Sequence, residues 1–171
     1  PLHAQQRTAL PYLPYADGAN ASFRKAVFDK VGGFEGDFFK AADVEICYRL
    51  LMLTDYKIAF CKEALVYEAA EADLKSLFKQ RYRIGLGECL LAAKFPLLYA
   101  NRHHSKNMKA YYWQWTQLRQ ARNSVKDCLL LLAMDWTQAW GRRQGQNKVP
   151  ASIVPISAQQ IAQFMAQAEP M

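Results

Sequence analysis

The chain has 171 residues, of which 51% are apolar and 22% are charged, which excludes a disordered polypeptide and predicts one globular domain or a domain with an appendage. Its net charge of +7 lies almost wholly in residues 102–171, which contain nine basic and three acidic residues, whereas residues 1–101 contain 13 and 12. This basic excess predicts a partner that carries phosphate, such as a nucleotide, a nucleic acid or an anionic lipid.

The first third of the chain predicts a strand, a turn and a helix. Three prolines among residues 1–14 indicate an extended lead-in, and "YLPYADGAN" then predicts a short strand that ends in a turn at Asp17-Gly18. Ser22 is placed to cap a helix that runs to about Val31. The pair Gly32-Gly33 ends that helix, because glycine adopts positive φ at little cost.

A second helix is predicted to begin near Asp43, and its apolar residues leave little room for a solvent-facing side, so it should be nearly buried. The segments "YKIAFC" (56–61) and "ALVYEA" (64–69) are rich in β-forming residues and predict two strands. A long helix is then predicted from about Asp73 to Lys94, where Phe95-Pro96 ends it.

The rest of the chain has a helical pattern. Two amphipathic helices are predicted from about residue 105 onward, the second ending at Gly141, and a proline-containing linker then leads to a short helix opened by Ser157. The element order predicts an α/β fold, a mixed sheet with flanking helices, followed by a C-terminal α-helical appendage. We expect three regions, 1–100, 101–145 and 146–171.

Four cysteines, Cys47, Cys61, Cys89 and Cys128, lie in apolar contexts without any CxxC spacing. This pattern predicts four buried thiols in a reduced compartment rather than disulfides or a zinc site.

Two carboxylates, Asp43 and Glu45, stand at the start of the second predicted helix. At positions i and i+2 they point about 200° apart, so they cannot form an acid–base pair on a regular helix. Glu45 has an i+4 partner in Arg49. Asp43 fits two roles, a helix cap or a projecting base, and its position alone favours the cap.

A basic stretch, "LFKQRYRIGLG", places Lys79, Gln80, Arg81 and Arg83 on the long predicted helix. Arginine side chains match phosphate oxygens well, but three basic residues without further context favour an ordinary solvated helix face.

The ordered motifs of residues 11–95 resemble the second half of a family 2 glycosyltransferase of the GT-A type. The motifs that carry the resemblance are Gly18-Ala19-Asn20, Arg24-Lys25, Gly32-Gly33-Phe34, Asp43-Val44-Glu45, Arg49-Leu50, the segments 56–60 and 64–68, and Gln80 to Arg83. The resemblance is specific for the family and not for a substrate. It implies a partial GT-A-like mixed sheet.

The chain departs from the family pattern at three positions. Ala42 replaces the glutamate of a Glu-Asp pair, Glu68 replaces a histidine, and Ile84 replaces the tryptophan of processive members, which argues against a processive polymerase. The sequence also contains no Asp-x-Asp motif and no nucleotide-binding βαβ units. We therefore expect it to be the C-terminal portion of a transferase, inactive when isolated.

The resemblance implies transfer of a sugar, with inversion, from a nucleotide-diphospho-sugar to an acceptor hydroxyl. It assigns the general base to Asp43 and the floor of the sugar and acceptor site to Gly18, Ala19 and Asn20. It assigns contacts with the leaving diphosphate to Arg81 and Arg83, and substrate binding also to Gln80. The implied cofactor is a divalent metal, Mg²⁺ or Mn²⁺, bound mostly by the missing N-terminal half, with Glu68 as one ligand from this chain.

Residues 102–143 contain eight basic and two acidic residues together with four tryptophans. This combination predicts peripheral contact with an anionic membrane, and an ordinary helical pair packed on the catalytic domain is an equal alternative. The expected acceptor is a saccharide or a lipid-linked saccharide of the cell envelope, and the expected location is the cytoplasm, on the inner face of the membrane.

Two other functions compete with catalysis. A degenerate, non-catalytic interaction module that keeps the fold is supported by Ala42 and Glu68. A nucleic-acid binder is supported by charge alone, and we expect no nucleic-acid partner because no recognised nucleic-acid-binding fold is present.

Overall fold

The computed structural model describes residues 7–8, 13–69, 71, 73–99, 116, 124–157 and 159–161. Within these residues the chain is mainly helical, and none of the described helices is long and apolar enough to cross a membrane. The elements in chain order are β1 (Arg7–Thr8), β2 (Pro14–Tyr15), a 3₁₀ turn (Gly18–Asn20), α1 (Lys25–Val31), α2 (Ala42–Leu53), α3 (Leu74–Lys94), α4 (Pro96–Tyr99), α5 (Val125–Gly145) and a second 3₁₀ turn (Gln146–Lys148).

The predicted mixed sheet is not confirmed. In the described part of the chain the strand pairing consists of β1 and β2, which are antiparallel with Arg7 opposite Tyr15 and Thr8 opposite Pro14. Segments 56–61 and 64–69, predicted as strands, form no ladder among the described residues. A strand needs a neighbour for its backbone groups, and this region instead exposes apolar side chains, among them Phe60, Leu65 and Tyr67.

The prediction that α2 is nearly buried is confirmed, because every residue from 44 to 50 is buried. One face of α2, including Val44 and Tyr48, joins the larger apolar cluster with residues of α3 and α4. The other face, including Ile46 and Leu50, packs against α1 in a second cluster. α2 is therefore the element that both clusters share.

Glycines set the close approach of α3 and α5. A Cβ added at Gly85 would lie 2.1 Å from the backbone oxygen of Gln138, and one at Gly141 would lie 2.2 Å from the backbone oxygen of Tyr82. The prediction that Gly141 ends its helix is therefore wrong: α5 continues to Gly145, and Gly141 lies at the contact with α3. The boundary expected near residue 100 stays a prediction.

The C-terminal segment returns to the larger cluster. Ile153, Ile156 and Ile161 are buried in it, and the Ile156 amide donates to the carbonyl oxygen of Lys94 at 2.8 Å. Ser157 opens the last helical turn as predicted, since its hydroxyl accepts from the amide of Gln160 at 3.2 Å.

Two other predictions are corrected. α1 begins at Lys25, with Arg24 at the cap position and no side-chain cap, so Ser22 does not open it. Gly32 ends α1 as predicted, with φ of 82°. Three thiols are buried as expected, but Cys61, at the end of segment 56–61, is exposed.

A buried ionic cluster joins α1, α2 and α3. It consists of Glu45 and Arg49 of α2, Lys94 of α3, and Glu35, which follows α1. Both oxygens of Glu45 accept from Arg49 at 2.7 Å, so the predicted i+4 pair is confirmed. Lys94 pairs with Glu35 and lies 3.7 Å from Glu45, whose side chain is fully buried.

Arg49 also hydrogen-bonds the C-terminal end of α1. Its guanidinium donates to the carbonyl oxygens of Val31 and of Gly33, the latter at 2.7 Å. Burial alone would lower the pKa of Arg49, but the hydrogen bond and charge of Glu45 outweigh it and raise that pKa above its ordinary value. Arg49 therefore remains a cation inside the fold and satisfies carbonyl groups that a helix leaves free at its C-terminus.

The burial of this cluster makes Glu45 a strong determinant of stability. Glu45→Gln keeps the shape of the side chain but leaves Arg49 and Lys94 with less negative charge around them. We expect the free energy of unfolding to fall by about 3 kcal/mol, the usual cost of removing one partner from a buried pair. Urea denaturation followed by circular dichroism would measure it.

The matched control is the exposed i+4 pair of Lys25 and Asp29 on α1. Asp29→Asn should cost only about 0.3 kcal/mol. Equal effects of the two substitutions would show that the buried cluster contributes no more than a surface pair.

Candidate active site

The Gly-Ala-Asn turn is a single 3₁₀ turn with its own cap. Asp17 precedes it, and the Asp17 carboxylate accepts from the Ala19 amide at 3.2 Å. A carboxylate that binds the amide two residues on is the usual way in which aspartate closes a tight turn. The local sequence therefore contributes its own cap to this turn.

The turn lies directly against the start of α2. The Gly18 amide donates to Oδ2 of Asp43 at 3.0 Å, across 25 residues of sequence. A Cβ added at Gly18 would lie 3.3 Å from the Cβ of Asp43, which leaves room for glycine alone without a local shift. One turn further along α2, the Ala16 amide donates to the sulfur of Cys47 at 3.4 Å. The two motifs identified in the sequence thus lie in direct contact.

Asp43 does not cap α2, contrary to the expectation from its position. The helix begins one residue earlier, at Ala42, and the cap residue Ala41 has φ of 63°. A left-handed alanine is uncommon, and such strain concentrates at functional sites. As the second helical residue, Asp43 uses Oδ1 to accept from the Val44 amide at 2.9 Å and Oδ2 to accept from Gly18.

Helix α3 packs against the residues that precede α2. A Cβ added at Gly87 would lie 2.9 Å from the Cβ of Lys40 and 3.0 Å from its backbone oxygen. The absence of a side chain at Gly87 therefore lets α3 approach the residues that lead into Ala41 and Asp43. We call residues 40–43 the α2 corner.

Asn20 connects the turn to the extended segment that follows α2. Its side-chain amide donates to the carbonyl oxygen of Ala64 at 2.7 Å, across 44 residues of sequence. Asn20 thus has a structural partner in addition to the role in substrate binding that the resemblance implies. Gly18 and Ala19 are both exposed, so the outer side of the turn is accessible.

The remaining predicted site residues are not joined to this turn. Gln80, Arg81 and Arg83 lie on α3, and within the described part of the chain no hydrogen bond or ion pair connects them to Asp43 or to residues 18–20. The Nε of Arg81 is buried without a hydrogen-bond partner among the described residues. Arg83 is exposed on the same helix.

The described residues do not form a complete site for a divalent metal. They include no group of three or more histidine, cysteine, aspartate or glutamate side chains placed to bind one. Glu68 is exposed in the segment after α2. The metal and the role of Glu68 as its ligand stay predictions.

Two buried thiols have pKa values far above the ordinary value. Burial raises the pKa of Cys47 to about 11, the hydrogen bond from Ala16 opposes this, and the charges of Asp43 and Glu45 add to it. Burial and the charge of Glu88 raise the pKa of Cys89 to about 11, while the nearby Arg142 lowers it. Cys47 is therefore a neutral thiol beside the turn and not a nucleophile.

The sequence analysis did not identify several residues that hold α2 and the α2 corner in position. Glu35 and Lys94 complete the ionic cluster, and Gly87 allows the contact with Lys40. A lysine among apolar residues, in "LLAAKFP", was the one signal for Lys94, because a buried lysine needs a partner. Nothing in the sequence links Glu35 or Gly87 to the site, since both depend on how α3 crosses the α2 corner.

The comparison with protein families decides the classification. The family model described as "Glycosyl transferase family group 2" matches residues 2–140, which is most of the chain. The chain belongs to this family. The match confirms the resemblance stated from the motifs, supports a GT-A-like fold, and establishes a glycosyltransferase class.

The two other comparisons add no relatives. No curated protein matches the chain, and no solved structure matches it.

The thiols provide a test of the geometry around the turn. At about pH 8, below the raised pKa values, Cys61 should react with a maleimide rapidly, whereas Cys47, Cys89 and Cys128 should react only when the chain opens. Mass spectrometry of peptides after timed labelling would measure this. Cys61→Ser should remove the fast phase, and rapid labelling of Cys47 in the native chain would contradict the contact with Ala16.

Proposed function

We propose that this chain forms the acceptor-side part of an inverting glycosyltransferase, in which Asp43 is the general base. The observation that carries the proposal is the hydrogen bond from the Gly18 amide to Oδ2 of Asp43. It brings together two motifs that the family membership links to sugar transfer. It also fixes a half-buried carboxylate beside an exposed turn.

The reaction requires a base that accepts the proton of the acceptor hydroxyl as that oxygen attacks the anomeric carbon. The carboxylate of Asp43 has the right chemistry, and its two short contacts limit its rotation. Glu45 is unsuited to the task, because it is fully buried and both of its oxygens are bound to Arg49.

The acceptor hydroxyl needs a defined approach to this carboxylate. We propose that Gly18, Ala19 and Asn20 form the floor on which the sugar and the acceptor lie. Small side chains suit this floor, since Gly18 and Ala19 leave their surface open. The bond from Asn20 to Ala64 would keep the floor in place while substrates exchange.

Positive charge must meet the diphosphate as it leaves. We propose that Arg81 and Arg83 of α3 provide part of it, with Gln80 beside them. The buried Nε of Arg81, which has no described partner, supports a role in which that side chain acquires one on binding. No step is assigned to a metal, because the described residues offer no complete ligand set.

The proposed donor is a nucleotide-diphospho-sugar, and the proposed acceptor is a saccharide or a lipid-linked saccharide. We also propose a cytoplasmic location with peripheral contact to the inner face of the membrane, since residues 102–143 combine basic charge with tryptophan. The alternative is a non-catalytic module that keeps the fold, and it is supported by Ala42 and Glu68, where the family pattern has other residues.

Asp43→Asn separates these alternatives. Asparagine has nearly the same shape, and its single side-chain oxygen can accept from Gly18 at the cost of the bond from Val44. The site should therefore keep its structure while it loses the basic carboxylate. In the complete enzyme we expect turnover to fall by about 10²–10⁴-fold, with donor binding and melting temperature nearly unchanged. Release of nucleoside diphosphate would measure turnover, and calorimetry would measure donor binding.

The matched control is Asp17→Asn in the same turn. It removes one negative charge from the same neighbourhood, and asparagine can replace aspartate as a cap. This variant should retain most of the rate. An active Asp43→Asn enzyme, or equal losses from the two variants, would exclude Asp43 as the base, and no turnover by the unsubstituted enzyme with any donor would favour the non-catalytic module.

A further inference from the structure

Helix α5 exposes apolar side chains along one face from Val125 to Trp140. Trp136 is 73% exposed, Leu129 and Trp140 are each 57% exposed, and Val125 is 49% exposed. Together with the half-buried Leu132 they follow one another at spacings of four, three, four and four residues, which places all five side chains on one side of a helix. We call this surface the outer face of α5, formed by Val125, Leu129, Leu132, Trp136 and Trp140.

The opposite side of α5 is occupied by α3. Trp136 and Gly145 point about 180° apart on a regular helix, and a Cβ at Gly145 would lie 2.9 Å from the sulfur of Cys89 on α3. Gln138 and Arg142 bind the carboxylate of Glu88 on α3 at 3.0 and 2.6 Å. The contacts with α3 thus fix which side of α5 points outward. At the edge of the outer face, the ring centroid of Trp140 lies 5.2 Å from that of Tyr82 on α3.

The exposed charges beside the outer face are basic, whereas Asp135, which precedes Trp136, is half-buried and engaged in an interaction. Arg143 follows Trp136 on the same side of the helix, and Lys126 stands beside Val125; both are exposed. The outer face contains no acidic residue, and Asp127, in the first turn of α5, is engaged in a capping box with Ser124. This pattern is complementary to a negatively charged surface.

We propose that the outer face of α5 is a membrane-docking surface that lies flat on an anionic lipid bilayer. Tryptophan has an apolar body and a polar N–H, which suits the boundary between headgroups and acyl chains. Basic residues at the edge meet the anionic headgroups, as in other helices that lie in the plane of an interface. A helix of 21 residues is about 32 Å long, so the contact is extended.

This inference extends the proposed peripheral location and assigns it to a defined surface. It does not depend on the transferase activity, because binding to lipid needs no donor or acceptor. A docked α5 would place α3, which packs on it, at a fixed height above the bilayer.

The test is flotation of the purified 171-residue chain with vesicles, followed by determination of the bound fraction. Vesicles of equal parts phosphatidylcholine and phosphatidylglycerol are compared with phosphatidylcholine alone. We expect binding to the anionic vesicles, weakened by salt because exposed charges are screened beyond about 8 Å at physiological ionic strength. Trp136→Ser should lower the partition coefficient about tenfold, equivalent to about 1.4 kcal/mol.

Three further variants make the test specific. Lys126→Gln and Arg143→Gln should each weaken binding to anionic vesicles about fivefold, without any effect on phosphatidylcholine. Tyr67→Ser is the matched control, since Tyr67 is an aromatic residue that is 89% exposed outside α5. It should leave the partition coefficient unchanged.

The other possible occupants of the outer face give different results. If a second copy of this chain covers it, size-exclusion chromatography should show a dimer that Trp136→Ser dissociates, and the proposal is overturned. If another segment of the same chain covers it, Trp136→Ser should lower the melting temperature and vesicles should not bind, which also overturns it. Equal binding to neutral and anionic vesicles would contradict the assigned role of Lys126 and Arg143.

Discussion

The buried carboxylate of Glu45 is the constraint on which the described structure depends most. A charged side chain with no solvent exposure is costly unless it is paired, and Glu45 is paired with Arg49 of its own helix and approached by Lys94 of α3. Through Arg49 the same charge reaches the last carbonyls of α1. Three helices must therefore keep their relative positions to avoid leaving a buried charge without a partner.

This arrangement also determines where the candidate base stands. Glu45 and Asp43 are two residues apart on α2, so they face different sides: one points into the ionic cluster and the other points toward the Gly-Ala-Asn turn. The inner carboxylate orients the helix, and the outer one lies half-buried beside the turn. Ala41, in its left-handed conformation, and Gly87, which admits Lys40, shape the α2 corner so that Asp43 meets the amide of Gly18.

Much of this could be predicted from the sequence where the interaction is local. Periodicity was sufficient to predict helices α2 and α3, and the i+4 spacing was sufficient to predict the Glu45–Arg49 pair.

The rest of the structure depends on contacts between residues that are distant in the sequence. The glycine at position 141 predicts a helix end, yet it lies inside α5 at the contact with α3. Sequence alone does not distinguish a glycine that ends a helix from one that lets two helices approach closely. Segments 56–61 and 64–69 have β-forming residues, but a strand exists only with a partner, and propensity does not supply one. The motifs that proved most informative, Gly18 to Asn20 and Asp43, became a site only when the fold joined them.

The central claim is that the ionic cluster around Glu45 holds the α2 corner so that Asp43 binds the amide of Gly18. Hydrogen exchange of the Gly18 amide, followed by NMR in the native chain and in the Glu45→Gln variant, tests it most directly, because an amide hydrogen-bonded in a fixed structure exchanges slowly. The account predicts a protected Gly18 amide that loses protection in the variant under conditions where α3 amides remain protected. A Gly18 amide that exchanges as fast as a free one in the native chain, or whose protection is unchanged when Glu45 is replaced, would contradict the claim.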